Sequence, residues 1–139
     1  MEYDDHPAGL TRDAGFQIGV RRTLPFLASQ VWQQLVSPGG RACWLAPVEE
    51  LVWRPGTPYT AANGVCGVVR VWQPGSHLRV TWQPPEWPRA SLIQVRVLPK
   101  GATCVLAFHQ ELLPGPHERE QRRAVFAAAL DQIAAQLGQ

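Results

Sequence analysis

"VWQPGSHLRVTWQP", residues 71–84, decides how this chain folds, because it carries Trp-Gln-Pro twice around a proline-glycine pair. Pro74 and Gly75 suit the central positions of a type II turn, since proline presets φ and glycine accepts a positive one. The strings on either side then fold back as a hairpin, residues 67–73 against 78–83. A four-residue loop over 74–77 pairs Gln73 with Leu78, Trp72 with Arg79, Val71 with Val80 and Val69 with Trp82. That register sorts Val69, Val71, Leu78, Val80 and Trp82 onto a buried face. It leaves Trp72 with Arg70, Arg79 and Thr81 on a wet face, where an arginine covers the indole. A three-residue loop would instead place both tryptophans on one face. No repeat of roughly 20–50 residues accompanies the doubled motif, so it is not a repeat unit.

Working outward, "SLIQVRVL" (91–98) sorts Ile93, Val95 and Val97 inward against Gln94 and Arg96, again a strand with one wet face. "TCVLAFHQELL" (103–113) does not sort. Cys104, Leu106 and Phe108 compete with Val105 and Ala107 for the core, and two registers stay open, one turning His109 inward and one turning it out. With the proline- and glycine-rich breaks between them, these segments form an antiparallel meander. Upstream, "FQIGVRRTL" (16–24) alternates Phe16, Ile18, Val20 and Leu24 against polar residues, with Arg22 interrupting the apolar face. "LASQVWQQLVS" (27–37) has helical spacing, with Ser29 as N-cap and Ser37-Pro38-Gly39-Gly40 as the stop. "RACWLAP" (41–47) reads as a second short helix, followed by irregular chain to Gly64. The tail "HEREQRRAVFAAALDQIAAQL" (117–137) is one long amphipathic helix with Phe126, Leu130, Ile133 and Leu137 on a stripe.

The expected fold is therefore α+β: a curved antiparallel sheet wrapped around a long C-terminal helix, with two short helices after the first strand and a cavity between sheet and helix. The domain spans 16–139, and residues 1–15, which lack periodicity, form a loose N-terminal tail. At 139 residues, 45% hydrophobic and 17% charged, the chain suits one globular core. A net charge of +2 with both signs interspersed offers no field for nucleic acid. The longest apolar runs are too short to span a bilayer, and the acidic opening lacks a signal-peptide core. Cys43, Cys66 and Cys104 are odd in number and set in apolar strings, as suits reduced, buried thiols in a cytoplasm. No Cys or His spacing suggests a metal site, and no glycine-rich phosphate loop or other cofactor motif occurs.

Three strings carry a family resemblance. "RRTLPFLASQVWQQLVSPGGRACWL" (21–45) has an arginine-bearing strand leading through proline to Val-Trp, a Ser-Pro helix end and a later Trp. "GVVRVWQPGSHLRVTW" (67–82) is a Gly-x-Val hairpin ending in Leu-x-x-Thr-Trp. "TCVLAFHQEL" (103–112) precedes a helix carrying Phe126, where tryptophan is the commoner residue in the family. Together they resemble the helix-grip fold of the START-like, polyketide-cyclase-like SRPBCC superfamily, and within it the activator of heat-shock protein 90 ATPase homologue branch, over about residues 16–137. Residues 54–64 depart from that family's short, tyrosine-centred stretch. The superfamily hosts lipid carriers, cyclases and co-chaperone domains, so the resemblance implies a fold more than a function.

The leading expectation is a cytoplasmic, non-catalytic protein that holds a hydrophobic small molecule. Arg22, on an otherwise apolar face, would hold an acidic group of the ligand, or else pack its stem and pair with a carboxylate at the sheet edge. Trp44, Val69, Val80, Trp82, Val95, Phe108, Phe126 and Leu130, with His109, would line the cavity, or simply fill a core. His109 and Glu111, two apart on a strand, would be the catalytic pair of a cyclase- or hydrolase-type enzyme, although no nucleophile is placed beside them. The family name implies a third reading, a chaperone-interacting module. Outward Trp72 and Val68 would suit a homodimer.

Overall fold

The computed structural model describes residues 10–11 and 15–138. Most of the expected N-terminal tail lies outside the described residues; within it, β1 (Leu10–Thr11) pairs along the start of β2 (Gly15–Leu24). After β2 come α1 (Ala28–Val36) and α2 (Pro38–Trp44), then β3 (Pro58–Thr60), β4 (Cys66–Gln73), β5 (His77–Trp82), β6 (Ser91–Lys100), β7 (Thr103–Leu113) and the long α3 (Pro116–Leu137). The strands form one unclosed antiparallel sheet in the order β1-β2-β7-β6-β5-β4-β3. The helix-grip architecture expected from the periodicity is what forms: α3 lies along the inner face of the sheet, its Phe126 ring stacked 4.9 Å from Phe108 of β7.

The short helices close one end, and their boundary signals differ in part from those expected. Ser29 is not the N-cap of α1; Leu27 holds that place, its backbone N–H donating to Gln30 Oε1 at 3.0 Å. Ser37-Pro38 ends α1 as expected, with Ser37 its C-cap, and the same Ser37 also starts the next helix. The Ser37 hydroxyl accepts from the Gly40 N–H at 3.2 Å, and Pro38 occupies the first turn of α2, where a missing N–H costs nothing. Gly40 is required there because a Cβ would sit 1.7 Å from the Gln34 carbonyl oxygen, so α1 and α2 turn against each other at backbone distance. Buried Arg41 then ties the following loop down through the carbonyls of Val36, Val48 and Glu49.

The β4–β5 hairpin has the expected turn and a different register. Gly75 has φ 81°, and the Ser76 N–H donates to the Gln73 carbonyl, as a Pro-Gly type II turn requires. The loop, however, is one residue shorter: Gln73 pairs with His77, Trp72 with Leu78 and Val71 with Arg79. A bulge at Arg70 absorbs the extra residue, so that Val69 pairs with Val80 and still faces the core. Val71 consequently leaves the inner face, and both indoles share it. Trp72 is covered there by Trp53, stacked at 5.0 Å, and by Trp32 at 5.3 Å. These rings come from distant segments and make burial of Trp72 more favourable than an arginine lid on the wet face.

The open register of β7 resolves by burial. Leu106, Phe108 and Gln110 face the core, and their β2 partners are Arg22, Val20 and Ile18. A bulge at Leu112, which has φ 63°, then returns Leu113 to the core. Among the described residues no helix is long and apolar enough to cross a membrane.

Candidate functional site

The residues expected to line a cavity come together, but as a packed core. Val69, Val80, Val95, Phe126 and Leu130 are completely buried, and Trp44 and Phe108 retain only 1% exposure, as side chains packed against one another do. Trp44 sits 6.2 Å from Phe108 and fixes its indole N–H on the Leu35 carbonyl at 2.9 Å. The physical reason is volume: three large rings from β7, α2 and α3 meet at the middle of a narrow grip and fill it.

Arg22 shares the inner face, but at the margin of the sheet, where its guanidinium pairs with exposed Asp131 of α3. It is an edge ion pair and does not reach the middle of the grip. His109 and Glu111 lie on the outer face, which decides between the two open registers and removes His109 from the expected cavity lining, because alternate residues of a strand point to opposite faces and Phe108 and Gln110 take the inner one. They do share one open groove of about 350 Å³ with Arg79, Leu92 and Gln94. There His109 Nε2 is 2.9 Å from Gln17 Oε1, and the groove's lining supplies no hydroxyl or thiol to activate. Among the described residues no His, Cys, Asp or Glu cluster could hold a metal ion.

The chemistry inside the grip comes from a residue the sequence reading passed over. Arg122 stands four residues before Phe126, on the buried stripe of α3, and is only 7% exposed. Its guanidinium lies 3.9 Å over the Trp82 ring and 4.9 Å from that of Phe126. Nε donates to Gln110 Oε1 at 2.8 Å, and Nη2 donates to the Trp44 carbonyl at 3.3 Å. Gln110 passes the connection on: its amide donates to Ser91 Oγ at 2.8 Å, and the Ser91 hydroxyl donates to the Trp82 carbonyl at 2.6 Å. Burial pushes the Arg122 pKa down to about 10, so the group stays charged at neutral pH. Nearby, burial raises the Tyr59 phenol, which remains neutral and donates to the Thr81 carbonyl at 2.6 Å. Among the described residues no carboxylate pairs with Arg122. The signal was available as its i, i+4 spacing to Phe126, which puts a cation on the apolar stripe.

Beside this network the sheet and α3 part. An open cleft of about 460 Å³ is lined by Trp82, Pro84 and Trp87 from β5 and the loop after it, and by Arg122, Ala124 and Val125 from α3. Exposed Glu86 and Gln121 complete the lining. Trp82 and Trp87 meet edge to face at 5.1 Å, and the Trp82 indole N–H is held by the Leu45 carbonyl at 2.7 Å, so the ring wall is fixed from behind. The Pro84–Trp87 turn holds itself through the Trp87 N–H on the Pro84 carbonyl and the Gln83 amide on the Trp87 carbonyl.

Comparison with known proteins bears on both the fold and the site. The profile described as "Activator of Hsp90 ATPase homolog 1-like protein" matches residues 26–138. No curated protein matches the sequence significantly. Among solved structures, protein CV1439 from Chromobacterium violaceum is 24% identical, with a TM-score of 0.72 over 87% of this chain and 96% of its own. CalU16 from Micromonospora echinospora is 18% identical, with a TM-score of 0.73 over 92% of this chain and 88% of its own. DynU16, from the dynemicin biosynthetic locus, is 15% identical, with a TM-score of 0.73 over 88% of this chain and 47% of its own. At these identities the structural likeness concerns the fold alone, a curved antiparallel sheet gripping a C-terminal helix.

Proposed function

The chain belongs to the Activator of Hsp90 ATPase homolog 1-like family, and from that premise we propose that it is a cytoplasmic, non-catalytic SRPBCC-type protein that binds an apolar or aromatic small molecule. The binding place is the cleft between Trp82, Trp87 and α3, at the end of the grip rather than in its filled middle. One observation carries this reading: a cleft of about 460 Å³ with a rigid indole wall opposite an apolar stretch of helix, a volume within the usual range of small-molecule sites. Burial of a flat ring against Trp82, Trp87, Pro84 and Val125 removes apolar surface from water on both sides of the guest, which is the main favourable term for such ligands. Catalysis by His109 and Glu111 has no such support, since their groove lies on the opposite face of the sheet from Phe108 and offers no nucleophile. A chaperone contact rests on the family's name alone and forms no part of the proposal, and neither does a homodimer through Trp72, which is covered by Trp32 and Trp53.

The test is titration of the full chain with the uncharged fluorescent dye N-phenyl-1-naphthylamine, beside the variant Ala124→Trp. Ala124 is exposed on α3 and lines the cleft, so the larger ring fills the site without entering the core. Saturable binding to the native chain, lost by at least tenfold in Ala124→Trp, is the expected result. Binding that Ala124→Trp leaves unchanged would move the site elsewhere.

A further inference from the structure

We infer that the guest of this cleft is a small aromatic carboxylic acid, bound as its carboxylate by Arg122. This rests on the binding reading above and adds the chemical class. A guanidinium has five N–H donors, and Arg122 spends one on Gln110 and one on the Trp44 carbonyl. Nη1 has no partner among the described residues. Every fully buried side-chain nitrogen and oxygen there is satisfied, so Nη1 is not sealed in the core. Arg122 is itself part of the cleft lining, so a guest entering there meets this residue. The cation is thus more than nine-tenths buried, charged, and without a neutralising carboxylate.

That combination selects an anion. Burying a charge without a counter-charge is costly, and the rings of Trp82 and Phe126 with two neutral acceptors offset only part of the cost. A carboxylate in the cleft supplies the missing charge and accepts the free N–H groups in charge-assisted bonds. The apolar remainder of the guest is dictated by the lining, in which the rings of Trp82 and Trp87, packed edge to face on each other, stand with Pro84 and Val125. A monoanion fits better than a phosphate dianion. The lining holds one cation, and its other charged side chain is Glu86, whose carboxylate repels a second negative charge. Glu86 does not itself neutralise Arg122, since it is exposed and makes no ion pair with it.

The experiment compares 2-naphthoic acid with 2-naphthamide, two guests of the same shape, by isothermal titration of the full chain at neutral pH. The acid is expected to bind tighter by about tenfold or more, the usual strength of a hydrogen bond to a charged group. Glu86→Gln should tighten the acid a few-fold and leave the amide unchanged. Arg122→Met should abolish the preference, and if that variant does not fold, the ligand pair and Glu86→Gln decide alone. Equal affinities for acid and amide, or binding of N-phenyl-1-naphthylamine with neither, overturn the carboxylate assignment and leave the binding reading intact. Failure of the dye and both naphthalenes removes both.

Discussion

The middle of the grip and its end are built from the same materials and come out differently. Both are walled by aromatic rings from the sheet and by one side of α3. In the middle, Phe108, Phe126 and Trp44 face one another with only carbon between them, and the space closes. At the end, one turn earlier on α3, Arg122 replaces a hydrocarbon and cannot be sealed in the same way. A guanidinium demands acceptors and a route to solvent or a counter-ion, so the sheet and helix stay apart around it. One polar residue in an apolar stripe therefore separates a closed core from an open cleft.

The comparison can be broken at its strongest point first. Phe126→Ala removes a completely buried ring from the middle and should cost about 3–5 kcal/mol in urea denaturation. The same change at Trp87, half-buried on the cleft wall, should cost about 1 kcal/mol or less. If the two cost the same, the middle is not the packed region described. Next, Gln110→Leu keeps the volume but strands Arg122 Nε, so a loss of about 1–3 kcal/mol is expected from the same measurement. A neutral outcome would mean that Arg122 finds its acceptors elsewhere. The smallest effect belongs to Arg22→Ala. Its partner Asp131 is solvent-exposed, and the pair should contribute less than about 1 kcal/mol and nothing to ligand affinity. A loss of dye binding in Arg22→Ala would restore that residue to the site.

The architecture was legible because strand alternation and the stripe on α3 each repeat over many residues, and single errors do not change the sum. Local details that hinge on one residue were not. Pro74-Gly75 announces its turn type, yet the register depended on the bulge at Arg70 and on Trp32 and Trp53, which lie 40 and 19 residues from Trp72 in the sequence and become its neighbours only in the fold. Ser37-Pro38 announces the end of α1, but not that the same Ser37 opens α2 at once; the close backbone contact at Gly40 lets the two helices turn against each other. β3 escaped notice in an irregular stretch because its pairing rests on three residues, with buried Tyr59 anchoring the middle one to Thr81. For the site, the aromatic residues were visible but their role was not, since rings that fill a core and rings that line a cleft have the same spacing. His109 and Arg22 drew attention as polar letters in apolar strings. Arg122 is the same kind of letter, hidden among the charges of the sequence 117–123.

The most direct test of the distinction between middle and end is an NMR titration of the full chain with N-phenyl-1-naphthylamine, reading indole N–H and methyl resonances together. The expected pattern is large shifts at the Trp82 and Trp87 indoles and the Val125 methyls, with those of Val69, Val80 and Val95 unmoved. Shifts concentrated on those three valines, with Trp87 silent, would place the guest in the middle and contradict the account.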